Sequence, residues 1–276
     1  MRTPYELRVA ESVQFLKIWA KNSFVPDVAV VLGSGLSGVF AQHSFLQHIS
    51  FNDLPGFKAA AVKGHSGELG LVEIAGKKVA VLMGRVHGYE GYDPGEVVHN
   101  VRTMIKWGCR KLILTNASGC LEKSWKAGEV MLICDQINAT GVTPLAGPFG
   151  NGFGARFVDM KEAYSRQGIE AARTVFAKKN ILLREGVYCG VFGPAYETPA
   201  EVKMLQTTGC QAVGMSTVLE TLAARQLGCE VLGLACLSNL ATGLADHSLT
   251  HDEVIAMGKG FEKIMAEVMP PIIEGF

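Results

Sequence analysis

Short runs of β-branched residues alternate with amphipathic helical stretches from about residue 28 to the end of the chain. This alternation is typical of an α/β fold, because each helix carries the chain back to the start of another parallel strand. The clearest strands are residues 28–32, 79–83, 111–115, 130–134, 187–192, 212–215 and 231–237. Residues 68–83 have the pattern of a hairpin that turns at Ala75-Gly76-Lys77. We therefore expect a central mixed sheet surrounded by helices.

Helix starts are marked by a capping residue with a glutamate three positions later, a pattern that satisfies the first backbone N–H groups of a helix. It occurs four times, at Asp93 with Glu96, Thr198 with Glu201, Thr217 with Glu220, and Thr250 with Glu253. Gly108, Gly209 and Gly228 stand where three of these helices are expected to stop. Residues 1–22 carry charges throughout with apolar residues at helical spacing, which predicts a surface helix and not a signal peptide.

Composition argues against several classes of protein. The 276 residues suffice for one large core, so we expect a single domain over residues 1–276. Lys plus Arg and Asp plus Glu both number 26, and this balance argues against a nucleic-acid partner. No apolar run is long enough to span a bilayer, so no membrane partner is expected. The 7 cysteines include no CxxC pair, which predicts reduced, buried thiols in a cytoplasmic protein.

Polar or glycine-rich clusters follow six of the predicted strands, and ligands of open α/β sheets bind outside the carboxyl ends of the strands. The clusters are residues 33–35, 84–87, 116–119 and 193–197, Ser216 after Gly214-Met215, and Ser238-Asn239. Any one of them alone is typical of a turn, since Gly, Ser and Asn dominate turns. Because Arg, His, Glu, Tyr and Asn arrive together, the clusters predict one composite site.

The first cluster matches two kinds of phosphate site. Gly33, Gly35 and Gly38 form a GxGxxG pattern, and Asp53 follows at the spacing of a dinucleotide-binding fingerprint. An NAD-dependent oxidoreductase is therefore one alternative. Against it, Asp53 precedes Leu-Pro-Gly in a turn-like stretch, whereas the acid of the fingerprint ends a buried strand. In both interpretations, backbone N–H groups of a glycine loop at a helix start favour an oxyanion.

Arg85 and His87 lie two apart in extended chain, so their side chains project the same way. Arginine provides a planar, permanently charged fork that suits phosphate, and histidine can donate a further hydrogen bond. The alternative is a structural ion pair of Arg85 with Glu90 or Asp93.

Glu197 stands just before the Thr198 cap, at the junction between loop and helix. The helix dipole alone would favour a carboxylate there. A buried ionised carboxylate also only accepts hydrogen bonds, so it pairs with the N1–H of a 6-oxopurine and is left unpaired by adenine. Asn239 has both a donor and an acceptor, which suit the N7 and O6 edge of the same base.

These residues lie in motifs that follow one another along nearly the whole chain: VVLGSGL, GHSGELG, GRVHGYEGY, TNASG, GPAYETPAEV, VGMSTVLE and the H-D-E-V helix start. Together they resemble the trimeric purine nucleoside phosphorylases, from about residue 28 to 260. The resemblance implies reversible phosphorolysis of 6-oxopurine (deoxy)ribonucleosides, giving the free base and α-(deoxy)ribose 1-phosphate. It also implies a homotrimer with shared active sites, with inorganic phosphate as co-substrate and neither a cofactor nor a metal.

The resemblance assigns a role to each candidate residue. Phosphate would be held by Ser34, Arg85, His87, Ala117 and Ser216. Ribose would contact Tyr89, Met215, Tyr196 and His251, with Phe153 lent by a neighbouring subunit. The base would contact Tyr196, Glu197 and Asn239, and the catalytic residues would be Glu197, Asn239 and His87. His65 matches a loop near the site but receives no role.

Three residues depart from the family pattern. Ser118 replaces the second alanine of TNAAG, Tyr196 replaces a phenylalanine, and Leu219 replaces the proline of GMSTVPE. None of them removes a proposed ligand, although the hydroxyl of Tyr196 leaves the exact substrate preference open.

Two further alternatives concern the site as a whole. A purine-binding protein that has lost turnover would keep the same pocket, and a 5′-methylthioadenosine phosphorylase is disfavoured because Glu197 suits an N1–H donor. His247 and His251 lie four apart but lack the glutamate of the HExxH motif, so no metal is expected there.

Overall fold

The computed structural model describes residues 3–58, 66–244 and 251–276, and within these ranges it contains nine strands in one sheet. The strands are β1 Val28–Val31, β2 Gln47–Ser50, β3 Glu68–Ile74, β4 Lys77–Met83, β5 Lys111–Cys120, β6 Val130–Asn138, β7 Leu183–Gly190, β8 Ala212–Gly214 and β9 Glu230–Leu240. The helices are α1 Pro4–Trp19, α2 Pro94–Val97, α3 His99–Trp107, α4 Gly147–Gly150, α5 Arg166–Lys178, α6 Pro199–Thr207, α7 Val218–Gln226 and α8 His251–Gly275. Short 3-10 turns cover Phe51–Asp53 and Gly88–Glu90.

The sheet is mixed, as the sequence predicts, in the order β2-β3-β4-β1-β5-β8-β7-β6-β9. Strand β1 is parallel to both β4 and β5, and β3 and β4 form the predicted hairpin. The two turn residues of that hairpin, Ala75 and Gly76, both have positive φ, at 50° and 75°. A two-residue hairpin turn of the type that matches the strand twist requires this backbone conformation.

Five strands of the sheet close into a ring, because β9 pairs with β6 on one side and with β5 on the other. Strand β9 is parallel to β5, while β8 is antiparallel to β5 and β7 runs with β8. The sequence predicted clusters at the carboxyl ends of parallel strands in an open sheet. Residues of β5, β8 and β9 instead line the site, and of these β9 is parallel and β8 antiparallel to β5.

Helices cover both faces of the sheet and enclose a core on each side. On one face α1, α3 and α7 pack with alternate strand residues such as Ala29 and Val31. On the other face α5 and α8 pack with the intervening residues, Val28 and Val30. Successive side chains of a strand point to opposite faces of the sheet, so the residues of β1 pack alternately against the two layers of helices. All four residues of β1 are therefore buried. The predicted fold class, a single α/β domain around a mixed sheet, is confirmed.

The predicted caps are found at the starts of the helices. The side chains of Asp93 and Thr198 accept from the backbone N–H groups of Glu96 and Glu201, as the capping pattern requires. The predicted cap at Thr250 and Glu253 lies outside the described side chains. Gly108, Gly209 and Gly228 follow the ends of α3, α6 and α7 with φ of 134°, 86° and 71°.

All seven cysteines are unpaired, and all except the half-buried Cys134 are buried, as predicted. In the parts of the chain that the structure describes, no helix combines the length and the apolar character that crossing a membrane requires.

Candidate active site

A cleft that is partly open to solvent lies where all six predicted clusters meet. Ten of the candidate residues line it: Ser34, Arg85, His87, Tyr89, Ala117, Tyr196, Glu197, Met215, Ser216 and Asn239. The prediction that the six clusters build one composite cleft is therefore correct.

Two of the clusters belong to strands and do not follow them, contrary to the sequence prediction. Residues 116–119 continue β5 and Ser238-Asn239 continue β9, and the two segments pair with each other. Between Ser118 and Gly119 the register shifts, so that Gly119 pairs with Asn239 and Ser238 is the extra residue of a bulge. Bulges often lie beside active sites, where they redirect a side chain. Long-range pairing has overridden the turn-like composition of both segments.

Arg85 lines the cleft and is almost fully buried. Its Nε donates to Glu220 Oε1 at 3.0 Å and its Nη1 donates to the Thr115 carbonyl. The alternative ion pair with Glu90 or Asp93 is therefore wrong. Its Nη2 is buried without a hydrogen-bond partner in the described residues. A buried cationic donor that lacks an acceptor is costly, so this atom is suited to an anionic ligand.

His87 is held by Glu90, three residues further on. Glu90 Oε1 accepts from the backbone N–H of His87 at 2.7 Å and lies 3.1 Å from the ring Nδ1. The Tyr89 ring stacks on the imidazole at 4.9 Å between centroids. Burial, and then the Glu90 charge, raise the pKa of Tyr89 to about 12. The phenol therefore stays protonated at neutral pH and can donate to a bound hydroxyl.

The glycine loop after β1 approaches β5 closely. A Cβ on Gly33 would meet Asn116 Cα at 2.8 Å, so only glycine fits there. The Gly33 N–H donates to Thr115 Oγ1 at 2.9 Å and is already used within the fold. Turns, not a helix, follow the loop, so the expected glycine loop at a helix start is wrong. Asp53 is exposed and ends a 3-10 turn, which does not match a dinucleotide-binding fingerprint.

Glu197 and Tyr196, in the loop after β7, line the cleft together with Asn239. Burial, and then the nearby charge of Glu201, raise the pKa of the Glu197 carboxyl, and a hydrogen bond from its own backbone lowers it. Asn239 is oriented by its neighbours, since Oδ1 accepts from Ser238 Oγ at 2.8 Å and Nδ2 donates to the Leu240 carbonyl at 3.0 Å. Tyr196 is 42% exposed at the cleft entrance.

Phe153 does not reach the cleft of its own chain and is not exposed for a neighbour. Its side chain is 3% exposed, and the Arg102 guanidinium lies 3.9 Å from its ring centroid. This cation–π contact and the surrounding core hold the ring inside its own chain, against the expectation that it is lent to another subunit. The side chain of His251 lies outside the described residues, as do His65 and His247.

Sequence reasoning missed the residues that hold Arg85, His87 and Ser216 in place. Glu220 was predicted only as a helix cap, but its carboxylate also binds Arg85. Thr115 links Arg85 to the glycine loop, and Tyr188 lies with its hydroxyl 3.5 Å from the Ser216 backbone nitrogen. Glu90, Thr115 and Glu220 lie in the motifs GRVHGYEGY, TNASG and VGMSTVLE, so the sequence marked these positions without giving their partners, whereas Tyr188 lies in none of the motifs. Among the side chains that the structure describes, no group of three His, Cys, Asp or Glu is placed to hold a metal.

Comparisons with known proteins agree with this geometry. The model of the phosphorylase superfamily matches residues 27–274. Purine nucleoside phosphorylase 1 of Geobacillus stearothermophilus is 42% identical over 261 residues, which cover 95% of this chain and 93% of that protein.

Solved structures are similar over the same extent. A purine nucleoside phosphorylase of Schistosoma mansoni, in complex with adenosine, superposes with a TM-score of 0.89 at 34% identity, covering 96% of each chain. A Schistosoma purine nucleoside phosphorylase in complex with guanosine has a TM-score of 0.85 at 32% identity, covering 97% of this chain and 96% of that one.

Proposed function

The chain belongs to the phosphorylase superfamily and, within it, to the purine nucleoside phosphorylases, and from that premise we propose that it cleaves 6-oxopurine nucleosides with inorganic phosphate. The single observation that carries the proposal is that Arg85 lines the cleft while its buried Nη2 has no acceptor among the described residues. A phosphate oxygen would supply that acceptor in a charge-assisted bond.

The phosphate is proposed to lie between Arg85, His87, Ser34 and Ser216, with the backbone at Ala117 beside it. Glu220 fixes the Arg85 fork and Glu90 fixes the His87 ring before any ligand binds. Such preorganised donors stabilise charge without reorganising during the reaction. Ribose would contact Met215 and the protonated hydroxyl of Tyr89.

In the proposed reaction the bond from the base nitrogen to the anomeric carbon stretches first, and positive charge builds on the ribosyl ring. Bound phosphate stabilises this charge and then forms the new C–O bond from the opposite face. The electron pair of the broken bond leaves with the base, which takes up a proton. The products are a free purine and α-ribose 1-phosphate, and no covalent enzyme intermediate, metal or organic cofactor is required.

The base is proposed to be held by Glu197 and Asn239. The carboxylate of Glu197 accepts from the N1–H of hypoxanthine or guanine but meets a lone pair on adenine. Leaving a buried carboxylate unpaired costs several kcal/mol, so adenosine should be cleaved at least roughly a thousandfold less efficiently than inosine. A Schistosoma relative is known in complex with adenosine, and adenosine is therefore an informative arm of the test.

The deciding experiment is a panel of inosine, guanosine, xanthosine and adenosine, each assayed with and without inorganic phosphate. We expect ribose 1-phosphate from the 6-oxopurine nucleosides only when phosphate is present. Release of free ribose in phosphate-free buffer would contradict the proposal. Tight binding of guanine without phosphate-dependent cleavage of guanosine would instead favour the purine-binding protein without turnover.

A homotrimer with shared active sites is a second part of the proposal, supported by the family membership. The buried position of Phe153 argues that its contribution to a neighbouring site would require the segment after α4 to repack. Mass measurement in solution should report three chains. A monomer with full activity at low concentration would contradict shared sites.

A further inference from the structure

The residue after Ser216 has a backbone conformation that its side chain disfavours. Thr217 has φ 73° and ψ −54°, and the Val218 N–H donates to the Ser216 carbonyl at 2.8 Å across it. These values describe the rarer, positive-φ form of the γ-turn. For a β-branched residue a positive φ is an outlier, and such strain persists only where the surroundings hold it.

Three hydrogen-bonding groups hold Thr217, which is 1% exposed. Its Oγ1 accepts from Asn116 Nδ2 at 2.8 Å and lies 3.2 Å from Ser216 Oγ. Its backbone N–H donates to Glu220 Oε2 at 3.1 Å. Since these contacts are buried, water does not compete for them, and their loss would leave polar atoms unsatisfied.

The same contacts connect separate parts of the proposed phosphate site. The second oxygen of Glu220 binds Nε of Arg85, so one carboxylate fixes both the turn and the arginine. Asn116, which binds the Thr217 side chain, directly precedes Ala117 on β5. Thr217 therefore lies at the centre of a network that reaches Arg85, Ala117 and Ser216.

Ser118 adds a link to this network. Its hydroxyl donates to Asn116 Oδ1, which fixes the amide so that Nδ2 faces Thr217. Ser118 itself is 3% exposed and lines the cleft. Ser118 stands where the TNAAG motif of the purine nucleoside phosphorylases has its second alanine. The hydroxyl-anchored amide is thus a feature of this chain's own sequence.

We propose that Thr217 is a positioning residue for phosphate, because its strained turn, held by Asn116 with Ser118 and by Glu220, places Ser216 opposite Arg85. The inference rests on the proposed function and deepens it. The hydrogen bonds from Asn116 and to Glu220 hold Thr217 in a strained backbone conformation that it would otherwise leave, and the held turn keeps Ser216 in place. Loss of the Thr217 hydroxyl should therefore weaken phosphate binding more than nucleoside binding.

The test compares Thr217→Val, which keeps the branched shape without the hydroxyl, with Thr217→Ser, which keeps the hydroxyl. Thr217→Val should raise the KM for phosphate about tenfold, equal to about 1.4 kcal/mol, and leave the KM for inosine within about twofold. Thr217→Ser should stay close to the wild type. Ser118→Ala should give a smaller rise, about threefold, in the KM for phosphate.

A matched control is Thr221→Val. Thr221 is buried, as Thr217 is, but its hydroxyl bonds the Tyr164 hydroxyl and it does not line the cleft. It should lower stability without changing the KM for phosphate. Stabilisation by inorganic phosphate, measured as the rise in Tm, provides a readout that does not depend on turnover. Thr217→Val should lose much of that rise, and Thr221→Val should keep it.

Equal rises in the two KM values of Thr217→Val, or an unchanged phosphate response, would overturn the inference. A Thr217→Ser variant as impaired as Thr217→Val would also overturn it. If Thr217→Val does not fold, the smaller effect of Ser118→Ala on phosphate decides the matter. A wild type that is stabilised by phosphate but cleaves no nucleoside would contradict the proposed function alone.

Discussion

The side of the cleft that we propose to bind phosphate differs from the side that we propose to bind the base in how far its side chains are fixed before a ligand binds. On the phosphate side Arg85 is hydrogen-bonded to Glu220, and His87 is hydrogen-bonded to Glu90. The side chains of both pairs are buried. On the base side Tyr196 is 42% exposed. The Glu197 carboxyl accepts a hydrogen bond from its own backbone, and its pKa is raised. Asn239 alone is oriented there by its neighbours.

This difference indicates a division of labour. A rigid anion site accelerates the step in which charge develops, because its donors do not have to reorganise. A base site on a loop reaches its full hydrogen bonding only with a purine in place, and it discriminates by leaving the wrong base unpaired. The phosphate side should therefore govern rate and phosphate affinity, and the base side should govern substrate choice.

The largest expected effect comes from Glu197→Gln, which removes the charge and adds a donor for the N1 of adenine. We expect kcat/KM for inosine to fall about a thousandfold, about 4 kcal/mol, and that for adenosine to change less than about tenfold. Steady-state kinetics with both nucleosides measure this. Glu162→Gln, at an exposed ion pair with Arg166, is the control and should change neither value. Equal losses for both nucleosides would place base recognition elsewhere.

The next effect concerns Arg85→Lys, which keeps a positive charge but removes the planar fork. A lysine cannot bond Glu220 and the anion together, so we expect the KM for phosphate to rise about a hundredfold, about 3 kcal/mol. The KM for inosine should change little. Arg173→Lys, at an exposed ion pair with Glu185, is the control. A larger rise in the KM for inosine than in the KM for phosphate would contradict the assignment of phosphate binding to this side of the cleft.

A smaller effect is a pH dependence that belongs to the base side. Burial raises the pKa of Glu197 above its ordinary value, so this group takes up a proton at a higher pH than an exposed glutamate does. The ionised form accepts from N1–H in a charge-assisted bond that is stronger than the bond to the neutral carboxyl. Guanine affinity should therefore be full above the raised pKa and fall about tenfold per pH unit below it. Calorimetric titration of guanine measures this, and an acid limb that persists in Glu197→Gln would assign it to another group.

Sequence alone determined the types of the elements and the composition of the cleft. The hairpin at residues 68–83, the caps at Asp93 and Thr198, and the stops at Gly108, Gly209 and Gly228 all follow from local backbone preferences. These signals act within a few residues, so they can be read without knowledge of the fold. The motifs also identified ten residues that meet in one cleft.

Only the tertiary structure decided how those residues are held. Glu220 meets Arg85 across 135 positions of the chain, and residues 116–119 become strand because β9 pairs with them. Phe153 is likewise buried by its contact with Arg102. The physical reason is that ion pairs, strand ladders and burial depend on which distant segments the topology brings together. Local propensity can propose a turn or a surface residue there, but the free energy of long-range contacts overrides it.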